Sequence, residues 1–303
     1  MEPVIQIEHI HKTYGQTVAV DDISFEVTED EIFGIVGPNG AGKTTTVESV
    51  IGLRQPDTGM IRVLGLDPQR QGYELRQQIG VQLQQAALPD RLKVWEALDL
   101  FASFYTQPAD WHVLLEQWEL ADKYRAAFGS LSGGQRQRLF IALALANNPK
   151  IVVLDELTTG LDPQARRVTW DLVQAVREHG TTVVLVTHSM EEAERLCDRV
   201  AIIDQGRVVA LDTPRRLIGT LEAGIRIRFT LEKGFEPLQL KSVQGVTQVS
   251  REGDEVVVSG NGSLMAHVAV ALAEHGLAPS DLRTEQVTLE DVFLALTGRQ
   301  IRS

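Results

Sequence analysis

One run of eight residues constrains this chain more than any other: Gly37-Pro38-Asn39-Gly40-Ala41-Gly42-Lys43-Thr44. It follows a short apolar strand pattern over residues 31–36 and precedes a helical pattern over residues 43–51. Its glycines let successive backbone N–H groups wrap a tetrahedral anion without Cβ clashes, at the positive end of the helix that follows. The spacing G-x-x-x-x-G-K-S/T also supplies a lysine, Lys43, to reach β- and γ-phosphates, and a hydroxyl, Thr44, to ligate Mg²⁺. Strand, turn and helix stand in the order that this chemistry needs, so the motif predicts a nucleoside-triphosphate site inside an α/β fold.

Two later runs give that site its other half. Ile151-Val152-Val153-Leu154 is an apolar strand ending in Asp155 and Glu156. A buried strand delivers the first carboxylate to a metal, and the second lies where it polarises an attacking water. Leu131-Ser132-Gly133-Gly134-Gln135 opens a helical stretch over residues 133–146, ended by Asn147-Asn148-Pro149. Ser132 and the two glycines at that helix start make a second anion-binding terminus.

Around these motifs the periodicity predicts a mostly parallel, doubly covered sheet. Residues 151–154 and 182–186 read as continuous apolar runs, the mark of strands buried on both faces. Residues 5–27 alternate, with turns expected near Gly15 and Asp21, which suggests antiparallel strands. Gln55–Gly59 forms a turn before a strand over residues 60–64, and residues 199–211 read as a hairpin turning at Gln205-Gly206. A helical subdomain is expected over residues 86–146, with Trp95, Leu98, Phe101 and Phe104 on one helix face. Trp111, Leu114, Leu115 and Trp118 repeat that face. A helix is expected over residues 164–178. The first domain is drawn over residues 1–219 and a small α+β domain over residues 220–303. That second domain has strands over residues 225–231, 246–249 and 256–258 and helices over residues 263–274 and 289–296, the last opening on a Thr288/Asp291 capping pair.

Composition narrows the partners. A net charge of −12 argues against a nucleic-acid binder and against electrostatic docking on anionic lipid. Residues 139–146 form the longest apolar run, far short of a bilayer span, and no signal pattern opens the chain. A cytosolic location is therefore expected, with any membrane role supplied by a partner. Cys197 is the lone cysteine, so no intrachain disulfide forms. The seven histidines show no metal-ligand spacing, and His9 and His11 read as strand-edge surface residues.

With all three motifs in order, the sequence resembles the nucleotide-binding subunits of ABC transporters over about residues 4–215. The resemblance implies two subunits packed head to tail, the Ser132–Gln135 signature of one covering the ATP held by Gly37–Thr45 of the other. It further implies that Tyr14 stacks on adenine and that Gln84 touches Mg²⁺ and the water. Asp162, in Gly160-Leu161-Asp162, crosses the dimer interface, and His188 contacts the γ-phosphate. Glu156 is then the general base, with Lys43, His188 and Ser132 on phosphate oxygens and Thr44, Asp155 and Gln84 on the metal. Leu157 replaces the proline usual in that family, and activity is expected to survive because proline contributes no ligand. Residues 288–298 are similar to the end of the daunorubicin-resistance-like drug and antibiotic export branch. The expected assembly is a homodimer bound through the 84–92 loop to a separate multi-span permease, on the inner face of the cell membrane, moving a drug, antibiotic or lipid-like cargo. A soluble ABC ATPase of iron–sulfur assembly is the alternative. DNA-repair members carry long coiled coils and translation factors carry two cassettes, and neither feature is present.

Overall fold

The structure is a computed structural model, and it describes residues 3–84, 86–221, 225–230 and 236–298. It divides into two compact units, one over Met1–Pro214 and the other over Arg215–Gln300.

In the first unit, β1 (Ile5–Tyr14) and β2 (Thr17–Val27) form an antiparallel hairpin that turns at Gly15, whose φ is 59°. The turn expected near Asp21 is absent. β2 runs through it with a bulge at Asp22 (φ 64°), opposite a second bulge at His9 (φ 49°). An extra residue on each strand breaks the alternation without ending the pairing. β4 (Thr58–Val63) adds to the other edge of β1.

The main sheet has six strands in the order β5-β6-β7-β3-β8-β9. They are β3 (Ile32–Val36), β5 (Ile79–Gln82), β6 (Ile151–Asp155), β7 (Thr182–Thr187), β8 (Arg199–Asp204) and β9 (Arg207–Asp212). All neighbours are parallel except β8 and β9, which form the hairpin. Every residue of β3, β6 and β7 is buried, as their unbroken apolar runs require.

Helices α1 (Lys43–Val50), α2 (Gly72–Arg76), α3 (Val94–Ala102), α4 (Trp111–Gln117), α5 (Gly133–Ala144), α6 (Pro163–Glu178) and α7 (Met190–Leu196) fill the connections, and α8 (Pro214–Gly219) starts on the last residue of this unit and otherwise belongs to the second. The buried face of α3 is Val94, Ala97, Leu98 and Ala102, not the aromatic face expected. The helix ends at Ala102, so Phe104 falls beyond it, 60% exposed, with its ring edge-on to Phe101. Small residues at 97 and 102 suit close helix packing better than the large rings. Trp118 is buried with Leu114 and Leu115, whereas Trp95 and Trp111 are half-buried. No described helix is long and apolar enough to cross a membrane.

The second unit is an antiparallel sheet in the order β11-β12-β10-β13, from β10 (Ile225–Thr230), β11 (Val246–Glu252), β12 (Glu255–Gly260) and β13 (Arg283–Gln286). Ile227, Phe229, Val249, Val256 and Val258 pack against Leu264, Val268 and Leu272 of α9 (Leu264–Glu274). The chain then enters α10 (Leu289–Thr297), where the Thr288 N–H donates to the Asp291 carboxylate at 2.9 Å, the capping contact expected. Leu231, the last residue of one expected strand, lies outside the described residues.

Candidate active site

β7 is hydrogen-bonded to both β3 and β6, so the carboxyl ends of these three parallel strands lie side by side. Open α/β sheets build ligand sites at this edge. β3 runs into the glycine loop and α1, β6 ends on Asp155 and Glu156, and β7 leads into His188.

The glycine loop is clamped by its surroundings. A Cβ on Gly37 would sit 2.1 Å from the carbonyl oxygen of Ile203 on β8, and one on Gly42 (φ 103°) would sit 2.4 Å from that of Ala19 on β2. The Gly206 N–H, in the β8–β9 turn, donates to the Ala41 carbonyl at 2.8 Å. Pro38 is half-buried, while Asn39, Gly40 and Thr44 are exposed and Thr45 is half-buried. Lys43 is buried and its ammonium donates to the carbonyls of Gly37 (2.8 Å) and Pro38 (3.0 Å). Burial lowers its pKa, and the facing Glu156 and Asp155 carboxylates oppose that shift.

Across from Lys43, burial pushes the Asp155 carboxyl up to about 6. Glu156 adds to the rise, and Lys43 and a backbone N–H of Gln84 moderate it. Gln84 itself is exposed just past β5. The buried Asp155 carboxylate beside Glu156, with the Gln84 backbone N–H on it and the Thr44 hydroxyl one residue past Lys43 in the sequence, brings oxygen donors of the kind a hard divalent ion takes. Mg²⁺ therefore fits these residues.

Glu156 has φ 53°, a left-handed backbone that a non-glycine residue holds only when its surroundings impose it. Its N–H donates to Val186 at 2.8 Å. Two donors converge on Oε2: His188 Nδ1 at 2.6 Å and the Thr159 hydroxyl at 2.9 Å. The tautomer that donates from Nδ1 to this oxygen leaves Nε2 free to face other partners. Leu157, where the resembling family has proline, is wholly buried and serves as core.

Tyr14, at the end of β1, is 39% exposed and lies between two cations, Arg54 at 5.4 Å and Lys12 at 5.7 Å from its ring centre. Arg54 pairs with Glu48 of α1. Lys12 pairs with Asp57 at 2.7 Å, and that bond, with the Thr13 N–H and hydroxyl, holds the Asp57 carboxyl down at about 2. The exposed tyrosine is thus tied to the helix that carries Lys43.

Ser132 and Gln135 cap α5 reciprocally: the Ser132 N–H donates to the Gln135 side chain at 3.0 Å, and the Gln135 N–H to the Ser132 hydroxyl at 3.3 Å. Gly133 is exposed, and Gly134 packs against Ala165 of α6. Asp162 caps α6, accepting from Gln164 and Ala165 N–H groups at 2.9 Å. Among the described residues no hydrogen bond joins this signature or Asp162 to the glycine loop. The structure therefore gathers Lys43, Gln84, Asp155, Glu156 and His188 at one sheet edge and leaves the capped start of α5 outside that cluster. Thr159, Arg54 and Gly206 join the site without having been expected. A threonine three residues after Glu156 was the one visible hint among them.

The raised Asp155 carboxyl makes a testable trade. Between about pH 4 and 6 the folded state holds a proton that the unfolded state lacks, so stability falls as pH rises through this window and stays lowered above it. Asp155→Asn is expected to stabilise the nucleotide-free protein by about 1–2 kcal/mol at pH 8, discounting for water access, and by much less at pH 4. Melting curves at the two pH values check this. An equal effect at both would remove the titration as its cause.

A glycine phosphate loop, paired carboxylates and a facing histidine on a parallel sheet define a P-loop nucleoside triphosphatase. The ABC transporter family model matches residues 20–159. The chain is 36% identical to the Nod factor export ATP-binding protein I of Ralstonia nicotianae, over 99% of this chain and 95% of that one. It is 37% identical to its namesake in Rhizobium etli, over 98% and 94%. Among solved structures, an ATP-binding subunit of an ABC transporter superposes with a TM-score of 0.65 at 27% identity, covering 72% of this chain and 92% of that one. A dimeric bacterial ABC transporter cassette gives 0.61 at 29% identity, covering 69% and 98%. The chain belongs to the ABC transporter family, as an ATP-binding, ATP-hydrolysing subunit.

Proposed function

We propose that two copies of this chain close head to tail around two ATP molecules and drive a separate multi-span permease that exports its cargo. The observation that carries the reading is the division of the site. Each chain holds a phosphate loop with its base, and a second anion-binding helix start, at Ser132, that its own loop does not use. A second copy completes both.

In each composite site the backbone N–H groups of Gly37–Thr45 cradle the phosphates and Lys43 exchanges its two carbonyl partners for β- and γ-phosphate oxygens. Tyr14 stacks on adenine. Thr44, Asp155 and Gln84 hold Mg²⁺, which supplies charge neutralisation to the phosphates. Glu156, with Oε2 occupied by His188 and Thr159, presents Oε1 to the water, which attacks the γ-phosphorus as the bond to ADP breaks and its proton passes to the carboxylate. His188 Nε2 and the partner's signature then face the γ-phosphate, and Asp162 lies along the seam. The positioned donors stabilise charge that develops only in the transition state.

The relatives, named as Nod factor export ATP-binding proteins, support export as the direction, and the likeness of residues 288–298 to the drug and antibiotic export branch is the basis for a drug, antibiotic or lipid-like cargo. The permease contact is assigned to residues 84–92, of which Gln85 lies outside the described residues. Such a contact puts the chain on the inner face of the cell membrane. The test is a pull-down of Glu156→Gln from solubilised membranes with ATP, repeated with Leu88→Asp added. Recovery of a multi-span protein that the second change abolishes supports the reading. Recovery of soluble partners alone, from an intact ATPase dimer, would shift it to an ABC ATPase outside transport.

A further inference from the structure

We infer that Glu192 is a positioning residue for hydrolysis, a single buried carboxylate oxygen that ties together the three segments carrying Glu156, Asp162 and His188. The inference rests on the catalytic reading of Glu156 above.

Glu192 lies in α7 and is 1% exposed. Its Oε1 accepts two hydrogen bonds, from the Thr158 hydroxyl at 2.9 Å and from Trp170 Nε1–H at 3.0 Å. Both donors are themselves buried. Thr158 is two residues after Glu156 and directly before Thr159, whose hydroxyl holds the Glu156 carboxylate. Trp170 is on α6, the helix that Asp162 caps. Glu192 belongs to the helix that starts two residues past His188. Its own N–H donates to Ser189 at 3.2 Å, and the Ser189 N–H to the Thr187 hydroxyl at 3.0 Å, closing the turn around the histidine. Arg195, one turn along α7, lies over the Trp170 ring at 5.2 Å and reinforces the α6–α7 contact.

A carboxylate in this position is costly. No described Lys, Arg or His stands within ion-pair distance of it, so two neutral donors alone compensate its burial. An apolar side chain of similar size, facing an apolar 158, would pack as well. What the carboxylate adds is registry. It fixes the loop after β6 against the helix after β7, and the Glu156–His188 contact at 2.6 Å spans those same two segments. Loss of the tie lets the base drift while nucleotide contacts from the glycine loop persist. A misplacement of this kind lowers turnover more than binding.

The experiment compares steady-state ATPase kinetics of Glu192→Ala, Glu192→Gln, Thr158→Val and the double variant Thr158→Val/Glu192→Ala, with Glu156→Gln as reference. Glu192→Ala and Thr158→Val are each expected to lower kcat about tenfold or more with KM for ATP within about twofold. The double variant should fall no further than the worse single, because both singles remove the same Thr158–Glu192 bond. Glu192→Gln keeps an oxygen acceptor for both donors and should restore kcat to within about threefold of wild type. Should Glu192→Ala fail to fold, Thr158→Val and Glu192→Gln still carry the test. Glutamine as impaired as alanine, full additivity in the double variant, or kcat unchanged in Thr158→Val overturns the inference. If Glu156→Gln itself retains turnover, the catalytic reading fails first and this one with it.

Discussion

Glu156→Gln is expected to slow ATP hydrolysis by about 10²–10⁴-fold, the usual worth of a general base, while ATP binding persists. The substitution is nearly isosteric, and glutamine tolerates the left-handed backbone (φ 53°) no worse than glutamate does. An amide oxygen still accepts from Thr159, and the Glu156 N–H still donates to Val186. What is lost is a group able to take the proton of the attacking water, so the deficit belongs to chemistry and not to folding. Single-turnover phosphate release and equilibrium ATP binding separate the two. A loss below about tenfold in the first, with binding intact, would remove Glu156 as the base. Then Asp155, whose carboxyl burial pushes up to about 6, becomes the next group to test.

Much of the fold is legible from pattern alone because its central strands have no solvent side. Residues 151–154 and 182–186 read as strands, which the structure extends to Asp155 and Thr187, since a parallel sheet covered on both faces demands unbroken apolar runs. The glycine loop was equally legible: Gly37 and Gly42 are glycines because carbonyl oxygens of Ile203 and Ala19 leave no room for a Cβ. Other elements lack a local signal. β13, Arg283-Thr284-Glu285-Gln286, has no apolar alternation and exists through its pairing with β10 and the ion pairs Arg228–Glu285 and Arg283–Glu255, both 2.7 Å. The buried face of α3 differs from the aromatic pattern because the helix ends at Ala102, which leaves Phe104 outside it and exposed. The bulges at His9 and Asp22 look like a turn in sequence, since both interrupt alternation. In the site, the residue types that carry chemistry were visible, whereas their orienting partners were not. Thr159 acts on Glu156 from three residues away, whereas Glu192 acts across the fold on Thr158 and Trp170, and no spacing rule announces the latter.

Two inactive variants are expected to restore each other when mixed, and this is the sharpest test of the paired site. Lys43→Ala removes the buried ammonium that faces Asp155 and Glu156, and with it the charge that draws phosphate oxygens into the loop. Ser132→Arg puts a long side chain at the exposed helix start where Ser132 and Gln135 cap each other, and blocks the second anion site. Each variant alone should lose ATP hydrolysis by about 10²-fold or more, since every composite site in its homodimer is damaged. In a mixed dimer closed head to tail as proposed, the two lesions fall on the same composite site, because the loop of one chain then faces the signature of the other. The remaining site has an intact loop and an intact signature. If subunits exchange at random, half of the dimers are mixed and half of their sites are whole, so activity should recover to about a quarter of wild type. Recovery needs exchange, which a tag on one variant and co-purification of the other verify. Mixed dimers that form without regaining activity would mean either that both lesions act within one chain or that the two sites fire only together. Lowering ATP until occupancy is partial separates these, because sites that fire only together give the wild-type dimer a sigmoidal rate and lesions within one chain leave it hyperbolic.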